Sequence, residues 1–514
     1  MNGAQSLLQT LVNGGVTTCF TNPGTSEMHF VAAADQVREM RTVLGLFEGV
    51  CTGAADGYAR MAGKPAATLL HLGPGLGNGF ANLHNARRAN SPMINIVGDH
   101  ATYHLRHDPP LTTDIESIVK GFSGWVRRCK SATDIPTDAA AAIRAAMTPP
   151  GGVATLILPA DCSWSESCGP APAPVLPRPA PVEAATIRRT AELLRRREPV
   201  ALFLSGSLFM ADGLRLAGRI ARATGARLMG NRVNARTQRG AGRVLVERLP
   251  YPIEPAMAML TGVRHLILAG SPAPVPFFAW PGKPNWIIPD ACRLHVLATP
   301  EEDCLGAIEA LADELGATGD VSAVDPGVRP TLPTGEITPE KAWRSLAALM
   351  PEDSIVSDEG VTSSRDADAW TVGAPPHDWL NVTGGSIGQG LPVATGAALA
   401  SPSSKVFAME SDGAGMYTLQ ALWTQAREKL DVVTVIFANR AYKILRGELK
   451  QMGIVEPGPK ASAMLDLGNP DLDWVKLGEG MGVPGGRART CEEFIDQLRD
   501  AIRFPGPRLI EVVL

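Results

Sequence analysis

The chain has 514 residues, too many for a single hydrophobic core, so we expect about two to four domains. Apolar residues make up 45% and charged residues 19% of the chain, proportions that are typical of a soluble globular enzyme. The formal net charge of −4 excludes the basic footprint that nucleic-acid-binding proteins carry.

Cysteines and apolar runs indicate the compartment. The eight cysteines are scattered, with no C-x-x-C motif and no pairing pattern, which favours reduced thiols over disulfides. No apolar run approaches the ~18 residues of a membrane span, and no basic segment precedes an apolar core at the N-terminus. We therefore expect a cytoplasmic protein with no nucleic-acid partner and no membrane partner.

Two proline-rich segments, residues 169–182 and 325–333, cannot continue a helix or a strand and are typical of extended linkers. Between them, apolar strands at 199–204 and 265–269 alternate with helical patterns such as 214–224. This alternation predicts an α/β fold of three doubly wound domains with parallel sheets throughout. The predicted boundaries are 1–168, 183–324 and 334–514.

Glycine-rich motifs mark the first domain. Residues 20–27 read FTNPGTSE, residues 46–60 read LFEGVCTGAADGYAR, and residues 70–78 read LHLGPGLGN. Two further motifs follow in the last domain, SDEGVTSS at 357–364 after a short strand and VTGGSIGQGLP at 382–392. In isolation Glu48 is best explained as a solvated helix carboxylate and His71 as a structural histidine.

The last domain also carries a strand, helix and strand pattern at 405–410, 416–428 and 432–437. Asp412 follows the first strand and Asn439 follows the second. Because parallel strands joined by a helix end at one edge of a sheet, we expect these two oxygen-bearing side chains to be neighbours. Mg²⁺ is usually held by such oxygens together with phosphates, and Gly413 lets backbone N–H groups approach a phosphate.

These motifs resemble those of the thiamine-diphosphate (ThDP) enzymes, whose signature is Gly-Asp-Gly followed by a distant Asn-Asn. Ser411 and Ala438 depart from that signature, but both side chains expected on the metal are kept. The resemblance implies Mg²⁺ ligation by the Asp412 and Asn439 side chains and the Ala441 carbonyl. It implies ThDP contacts from Pro23, Gly24, Asn78, Glu359, Val361, Thr362, Gly385, Ser386, Ile387, Gly413, Ala414, Ala441 and Tyr442.

Within the first domain the resemblance is to the pyrimidine-binding domain of ThDP decarboxylases and acetolactate synthases. It implies that Glu48 hydrogen-bonds the aminopyrimidine ring and promotes the imino form that removes the thiazolium proton. It also implies that Ile387 wedges the cofactor into a V shape. Benzoylformate decarboxylases carry a histidine at the position of His71, where it can relay protons near neutral pH, whereas acetolactate synthases carry a small hydroxyl residue.

Other candidates stay open. The loop at 98–107 holds His100, His104 and His107, and it is similar to the adjacent histidines of pyruvate decarboxylases without their spacing. We regard His104 and His107 as candidate catalytic residues, with a surface loop or a zinc site as alternatives. Two further pairs of side chains each have two explanations. Phe277 and Phe278 form either an apolar substrate wall or part of a core, and Lys443 and Arg446 contact either a substrate carboxylate or solvent.

Phe277 stands where benzoylformate decarboxylases place a second histidine, which weakens assignment to that specific enzyme. The whole resemblance implies a ThDP- and Mg²⁺-dependent decarboxylase or carboligase that acts on 2-oxo acids and a carbonyl acceptor, forming aldehydes or 2-hydroxy ketones. It also implies a homodimer or homotetramer with shared active sites. The donor acid, and any use of FAD or a CoA thioester, stay open.

Two other classes of protein compete with this interpretation. An NAD-binding oxidoreductase would use the glycine loop at 73–79, with Asp99 as the acidic residue that closes the next strand. A homologue without catalysis would act as a regulatory subunit. The first leaves Glu48, Asp412 and Asn439 unexplained, and the second is opposed by the retention of those same residues.

Overall fold

The computed structural model describes residues 1–321 and 324–514, and it places three sheets in chain order. The first is a six-stranded parallel sheet with the order β2-β1-β3-β4-β6-β5. Its strands are β1 (Thr18–Asn22), β2 (Arg41–Leu44), β3 (Ala66–Leu70), β4 (Met93–Asp99), β5 (Trp125–Arg128) and β6 (Val153–Pro159). The helices around it are α1 (Gly3–Asn13), α2 (Met28–Ala34), α3 (Glu48–Ala62), α4 (Leu72–Ala89), α5 (Ile115–Val119), α6 (Ile135–Ala146) and α7 (Ala160–Trp164).

The second sheet has five parallel strands in the order β10-β8-β7-β11-β12. They are β7 (Val200–Leu204), β8 (Arg227–Gly230), β10 (Glu247–Arg248), β11 (His265–Ala269) and β12 (Arg293–Ala298). The helices α8 (Ala184–Arg195), α9 (Ala211–Thr224), α10 (Ile253–Leu260) and α11 (Cys304–Glu314) complete this unit. Its central strands β7 and β11 are buried along their whole length, as expected where helices cover both faces of a sheet.

The third sheet has seven strands in the order β17-β18-β16-β15-β13-β14-β9. They are β9 (Thr237–Arg239), β13 (Ser354–Glu359), β14 (His377–Asn381), β15 (Val406–Ser411), β16 (Val432–Ala438), β17 (Gly485–Ala488) and β18 (Arg508–Val513). Its helices are α12 (Pro339–Leu349), α13 (Ala367–Trp370), α14 (Gly390–Ala400), α15 (Asp412–Gly415), α16 (Ala421–Arg427), α17 (Lys443–Gln451), α18 (Pro459–Ala463), α19 (Trp474–Gly480) and α20 (Cys491–Arg503).

The predicted α/β class with three parallel sheets is confirmed, with one exception. Strand β9 comes from the middle of the chain, yet it joins the edge of the third sheet and pairs antiparallel with β14. Arg236, just before β9, fixes this exchange because its guanidinium binds the Asp378 carboxylate at 2.6 and 3.0 Å. The predicted domain boundaries stay a prediction, and residues 322 and 323 of the central domain lie outside the described residues.

The prediction of a helix at 416–428 is wrong over its first turn. The structure instead places the short helix α15 directly after β15, then turns, and then α16 from Ala421. The interruption has a side-chain cause, since the Thr418 hydroxyl donates to the Gly388 carbonyl at 2.9 Å and ties this segment to a neighbouring loop. The proline-rich segment at 169–182 does lie outside helices and strands, as predicted. In the described parts of the chain, no helix combines the length and the apolar character needed to cross a membrane.

Helices α3 and α14 pack directly against each other and join the first sheet's layer to the third. Glycines make this approach possible: a Cβ on Gly396 would overlap the Ala54 carbonyl and lie 2.6 Å from the Tyr58 amide. A Cβ on Gly57 would likewise overlap the Val393 backbone. The sequence pattern Gly-Ala-Ala-Asp-Gly in α3 is therefore a packing feature as well as a motif.

A buried ion pair closes the same contact. Arg60 binds Asp56 one turn earlier in α3, at 2.5 and 2.8 Å, and both side chains are almost fully buried. The Arg60 guanidinium also donates to the Asn381 carbonyl at 2.7 Å and to the Thr383 hydroxyl at 3.0 Å. Gln389 completes the set by donating to Asp56 at 3.2 Å. Because breaking a buried pair leaves an uncompensated charge, these bonds hold α3 against the loop that precedes α14.

We predict that Gly396→Ala lowers the melting temperature of the protein, because the added methyl group forces α14 away from α3. Overpacking of this kind costs about 1–3 kcal/mol. Gly447→Ala in α17 is the matched control, since a Cβ there meets no atom within 4 Å and alanine is the better helix former. Thermal denaturation followed by circular dichroism measures both, and an unchanged melting temperature for Gly396→Ala would contradict the packing described.

His377 makes stability depend on pH. Burial lowers the pKa of its imidazole to about 3, and its Nδ1–H donates to the Pro375 carbonyl at 2.7 Å. The unfolded chain binds this proton near pH 6.5 and the folded chain does not, so stability is full above pH 6.5 and falls below it. At pH 5.5 the expected loss is about 1.4 kcal/mol.

We therefore expect the drop in melting temperature between pH 8 and pH 5.5 to be smaller in His377→Asn than in the parent protein. Asparagine retains a hydrogen-bond donor but does not titrate. An equal drop in the two proteins would show that His377 is not the group responsible.

Candidate active site

His71 lies at the carboxyl end of β3, where it precedes the first turn of α4. Its Nδ1 is 2.8 Å from a carboxylate oxygen of Glu27 and 3.2 Å from the Ser26 hydroxyl. Glu27 is 2% exposed, and its carboxylate also accepts from Ser26 at 2.6 Å and from the Gly24 amide at 2.8 Å. The following residue, Leu72, has φ of +47°, an uncommon value for a residue with a side chain.

Sequence reasoning missed Glu27 and Ser26. The signal was available, because both follow the Asn-Pro-Gly-Thr turn at the end of β1, and β1 pairs directly with β3. Parallel neighbours end at the same edge of a sheet, so a carboxylate just after β1 can reach a side chain just after β3. The predicted candidate Gly24 serves this contact, since a Cβ there would overlap the His71 ring.

Glu48 begins α3 and is 7% exposed. Asn78, predicted as a cofactor contact, donates from Nδ2 to the Glu48 carboxylate at 3.0 Å. Gly75 lies between this carboxylate and the histidine, because a Cβ on it would be 3.2 Å from Glu48 Oε1 and 3.3 Å from His71 Cβ. The structure therefore brings Glu48, Asn78 and His71 together at one edge of the first sheet.

The loop at 382–389 is held by α4. Asn85 donates to the Ser386 carbonyl at 2.8 Å, and its own side-chain oxygen accepts from the Ser386 amide at 3.2 Å. Asn82 donates to the Gly388 carbonyl at 3.1 Å. Gly385 and Gly388 have φ of +75° and +92°, the left-handed region that glycine enters freely. The half-buried Ile387 thus sits in a loop whose backbone is fixed from both sides.

Glu359 ends β13, and its carboxylate binds the backbone of this same loop. Its carboxylate accepts from the Gly388 amide at 2.8 Å and the Gly390 amide at 2.5 Å. Burial raises the pKa of Glu359 to about 7, and burial together with the Glu359 charge raises the pKa of the neighbouring Glu410 well above its usual range. Both carboxyl groups are therefore harder to ionise than a free glutamate, and the ionised form of one opposes ionisation of the other.

Val361 and Thr362, predicted as diphosphate contacts, follow Glu359 and are half-buried. Val361 has φ of +49°, which is strained for a β-branched residue. Backbone strain of this kind persists where the surroundings fix it, and it often accompanies a functional loop.

Asp412 and Asn439 are neighbours, as the strand pattern predicted. The strands β15 and β16 that carry them pair in parallel, with Ser411 opposite Phe437. The Asp412 carboxylate accepts a hydrogen bond at 2.6 Å from the backbone amide of Arg440, the residue that follows Asn439. Asn439 in turn accepts from the Ala441 amide at 3.0 Å. Burial raises the pKa of Asp412 to about 6.

This corner fits Mg²⁺ together with a diphosphate. Its donors are a carboxylate, an amide oxygen and a carbonyl, all hard oxygen atoms. Across residues 1–321 and 324–514, no group of three or more His, Cys, Asp or Glu side chains could hold a metal ion by itself. A metal here therefore needs further oxygens from a ligand. Position 413 requires glycine, because a Cβ there would lie 2.6 Å from the Tyr442 ring.

His104 and His107 lie elsewhere, in an exposed loop after β4. The His104 ring packs edge-on against His100 and at a tilt against His107, with ring centroids 5.9 Å apart in each pair. Among the described residues, no hydrogen bond or ring contact joins His104 or His107 to Glu48 or His71. Their assignment as catalytic residues stays a prediction without a contact to carry it.

Phe277 does reach the loop at 382–389. A Cβ on Gly385 would lie 2.5 Å from the tip of the Phe277 ring. Phe278 packs edge-on against Phe277, with centroids 4.8 Å apart, and both rings are more than half exposed. Lys443 and Arg446 are exposed on α17.

The geometry opposes a dinucleotide site at 73–79. Helix α4 begins at Leu72, so these glycines lie within its first turns and form no separate loop before it. Asp99 is buried and forms an ion pair with Arg128, which leaves it engaged within the protein.

Two family models match the chain at its ends. Residues 1–118 match the thiamine pyrophosphate enzyme N-terminal TPP binding domain, and residues 362–512 match the corresponding C-terminal TPP binding domain. Both matches contain the residues assembled above, Glu48 and His71 in the first and Asp412 and Asn439 in the second.

Known proteins are similar to this chain along nearly its whole length. The chain is 54% identical over 516 residues to a Mycobacterium tuberculosis protein described as a candidate acetolactate synthase large subunit, IlvX, covering 100% of this chain and 99% of that protein. It is 29% identical to benzoylformate decarboxylase of Pseudomonas aeruginosa, covering 97% and 96%. Among solved structures, 4-hydroxybenzoylformate decarboxylase of Rhodococcus jostii RHA1 superimposes with a TM-score of 0.84 at 25% identity, covering 99% and 98%.

The predicted relationship is thereby confirmed, and the dinucleotide interpretation is wrong. With two matching cofactor-domain models and a relative that shares more than half of its residues over its full length, the chain belongs to the thiamine pyrophosphate enzymes and is a ThDP-dependent enzyme.

Proposed function

We propose that the protein is a Mg²⁺-dependent decarboxylase or carboligase that acts on 2-oxo acids. The observation that carries the proposal is the placement of His71, bonded to the buried Glu27, beside the Glu48 carboxylate at Gly75. A titratable ring held by a buried carboxylate at the edge of a sheet is suited to proton transfer. The relatedness to benzoylformate decarboxylase and to an acetolactate synthase subunit supports the same reaction class.

The cofactor would be held by residues from both ends of the chain. Asp412, Asn439 and the Ala441 carbonyl would bind Mg²⁺, and the backbone at Gly413 would face the diphosphate. ThDP, when bound, supplies a thiazolium carbon that adds to a carbonyl and holds the electrons released when CO₂ leaves. Glu48 would bond the pyrimidine ring, with Asn78 orienting its carboxylate through the 3.0 Å bond.

His71 would transfer protons to and from the substrate. A carboxylate at Nδ1 accepts a hydrogen bond, so Glu27 holds the ring with its proton on Nδ1 and leaves Nε2 free to accept or deliver a proton. Ser26 supports Glu27 from the other oxygen at 2.6 Å. Nε2 would first accept a proton and would then deliver it to the substrate-derived carbon or oxygen, which releases an aldehyde when no second carbonyl has reacted.

The other predicted contacts complete the proposal. Phe277 and Phe278 lie beside Gly385, and their exposed rings supply an apolar wall for a substrate with an apolar substituent. Carboligation to a 2-hydroxy ketone is the second candidate, favoured by the 54% identity to the acetolactate synthase subunit. We further propose a homodimer or homotetramer with shared active sites and a cytoplasmic location.

The experiment is a CO₂-release screen of the protein loaded with ThDP and Mg²⁺, using pyruvate, benzoylformate and branched 2-oxo acids. Release of CO₂ with aldehyde as the product supports decarboxylation, and release with a 2-hydroxy ketone supports carboligation. Absence of CO₂ from every acid, in protein shown to bind ThDP, would contradict the proposal.

We expect Glu48→Gln to lower kcat by at least about 100-fold, because positioned proton transfer contributes roughly 10²–10⁴-fold to a rate. ThDP affinity should change little, since glutamine retains a hydrogen-bonding side chain of the same length. Glu192→Gln, at an exposed position of α8, is the control. Turnover by Glu48→Gln at the parent rate would refute the role of this carboxylate.

We expect Gly24→Ala to reduce kcat while ThDP still binds, because the methyl group would displace the His71 ring from Glu27. A 1 Å misplacement of a catalytic group costs up to about 10²-fold. Gly480→Ala, where a Cβ meets no atom within 4 Å, serves as the control. Steady-state kinetics and ThDP titration separate the two effects, and parent kcat in Gly24→Ala would remove His71 from the mechanism.

A further inference from the structure

We propose that a cavity lined by arginines, between residues 232–250 and helix α13, binds a small organic anion whose carboxylate or phosphate group lies on Arg243 and Arg248. The cavity has a volume of about 350 Å³, within the range of small-molecule sites. None of its lining residues belongs to the candidate active site described above.

The lining carries an excess of positive charge. Five arginines face the cavity, against three aspartates: Arg232, Arg239, Arg243, Arg248, Arg365, Asp325, Asp366 and Asp368. Guanidinium groups bind carboxylate and phosphate through paired N–H donors, so several of them around one cavity favour an oxyanion.

Two of the aspartates are already engaged within the protein. The Asp368 carboxylate binds Arg239 at 2.6 Å, and Arg239 lies over the Trp379 ring at 4.6 Å. The Asp325 carboxylate accepts from the Gly373 amide at 3.0 Å and the Gly327 amide at 2.9 Å. Neither of them forms an ion pair with Arg243 or Arg248 among the described residues.

Arg248 lacks a carboxylate partner in the described part of the chain. Its guanidinium lies 4.0 Å from the centroid of the Phe209 ring and has only long hydrogen bonds, 3.3 Å to the Asn231 carbonyl and 3.4 Å to the Thr237 hydroxyl. Burial lowers the pKa of Arg248 to about 10; the nearby Asp368 carboxylate opposes this shift, and the positive charges of Arg239 and Arg232 add to it. A cation in such surroundings is costly unless an anion joins it.

The guanidinium of Arg243 also has an unmatched N–H group within the described structure. Its Nε is buried and has no hydrogen-bond partner among the described residues. The great majority of buried N–H groups in native structures have a hydrogen-bond partner, so an unmatched guanidinium N–H at a cavity points to a ligand atom.

The apolar residues that line the cavity indicate the chemistry of the rest of the ligand. Leu214, Val244, Leu245 and Val246 add apolar surface to the same cavity. A free inorganic ion would leave this surface in contact with water, whereas an organic anion would cover it with its carbon skeleton. We therefore infer a compact amphipathic anion.

The test uses the protein loaded with ThDP and Mg²⁺, so that the diphosphate site is filled, at constant ionic strength set with chloride. Calorimetric titrations with inorganic phosphate, phenyl phosphate and hexanoate compare the head group alone with two head groups on apolar bodies. We expect saturable binding, tighter for an organic anion than for inorganic phosphate. The two organic probes distinguish a phosphate from a carboxylate ligand.

Variants locate the site. Arg248→Met and Arg243→Met should each weaken binding at least about tenfold, because each removes charge-assisted hydrogen bonds. Arg215→Met, on the exposed face of α9, should leave binding unchanged. If Arg248→Met does not fold, Arg243→Met carries the test alone, since its guanidinium N–H lacks a partner to lose.

No saturable binding of any probe at millimolar concentration would overturn the proposal. Equal affinity in the parent protein and in the folded arginine variants would also overturn it. Because turnover is not the readout, a failure here is distinguishable from a failure of the proposed decarboxylase or carboligase activity.

Discussion

The close contact between α3 and α14 is the constraint on which the rest of the structure depends. Glycines at positions 57 and 396 let the two backbones approach, and the buried Arg60 and Asp56 pair locks them. This contact fixes α3, which begins at Glu48, against α14, which follows the loop at 382–389. The two ends of a long chain thereby become one framework, and the catalytic candidates inherit its rigidity.

The sequence predicted the parts of the site that lie next to local patterns. Asp412 and Asn439 could be paired because each follows an apolar strand, and parallel strands end at one edge. The bond of Glu27 to His71 follows the same rule, because each residue comes just after one of two paired parallel strands, but that pairing appears only in the structure. The exchange of β9 into the third sheet depends on contacts between distant residues that no local pattern encodes. The break in the predicted helix at 416–428 is of the same kind, because its cause is the bond from Thr418 to Gly388 in another loop.

Carboxylates divide the site into two environments. Glu359 and Glu410 are buried together, which raises the pKa of both, and Glu359 accepts hydrogen bonds from the backbone amides of Gly388 and Gly390 beside Ile387. Glu27 is also buried, but its partner is an imidazole, so its charge sets the orientation of a titratable ring. The first environment therefore fixes the loop at 382–389, and the second orients the histidine that we propose as the proton carrier.

The most direct measurement is a calorimetric titration of the purified, metal-stripped protein with ThDP, in the presence and absence of Mg²⁺. We predict saturable ThDP binding that is much tighter with the metal, because Asp412 and Asn439 supply too few oxygens to fill the coordination of Mg²⁺ and need the diphosphate to complete it. Equal ThDP affinity with and without Mg²⁺, or no binding in either case, would contradict the assembly of the cofactor site described here.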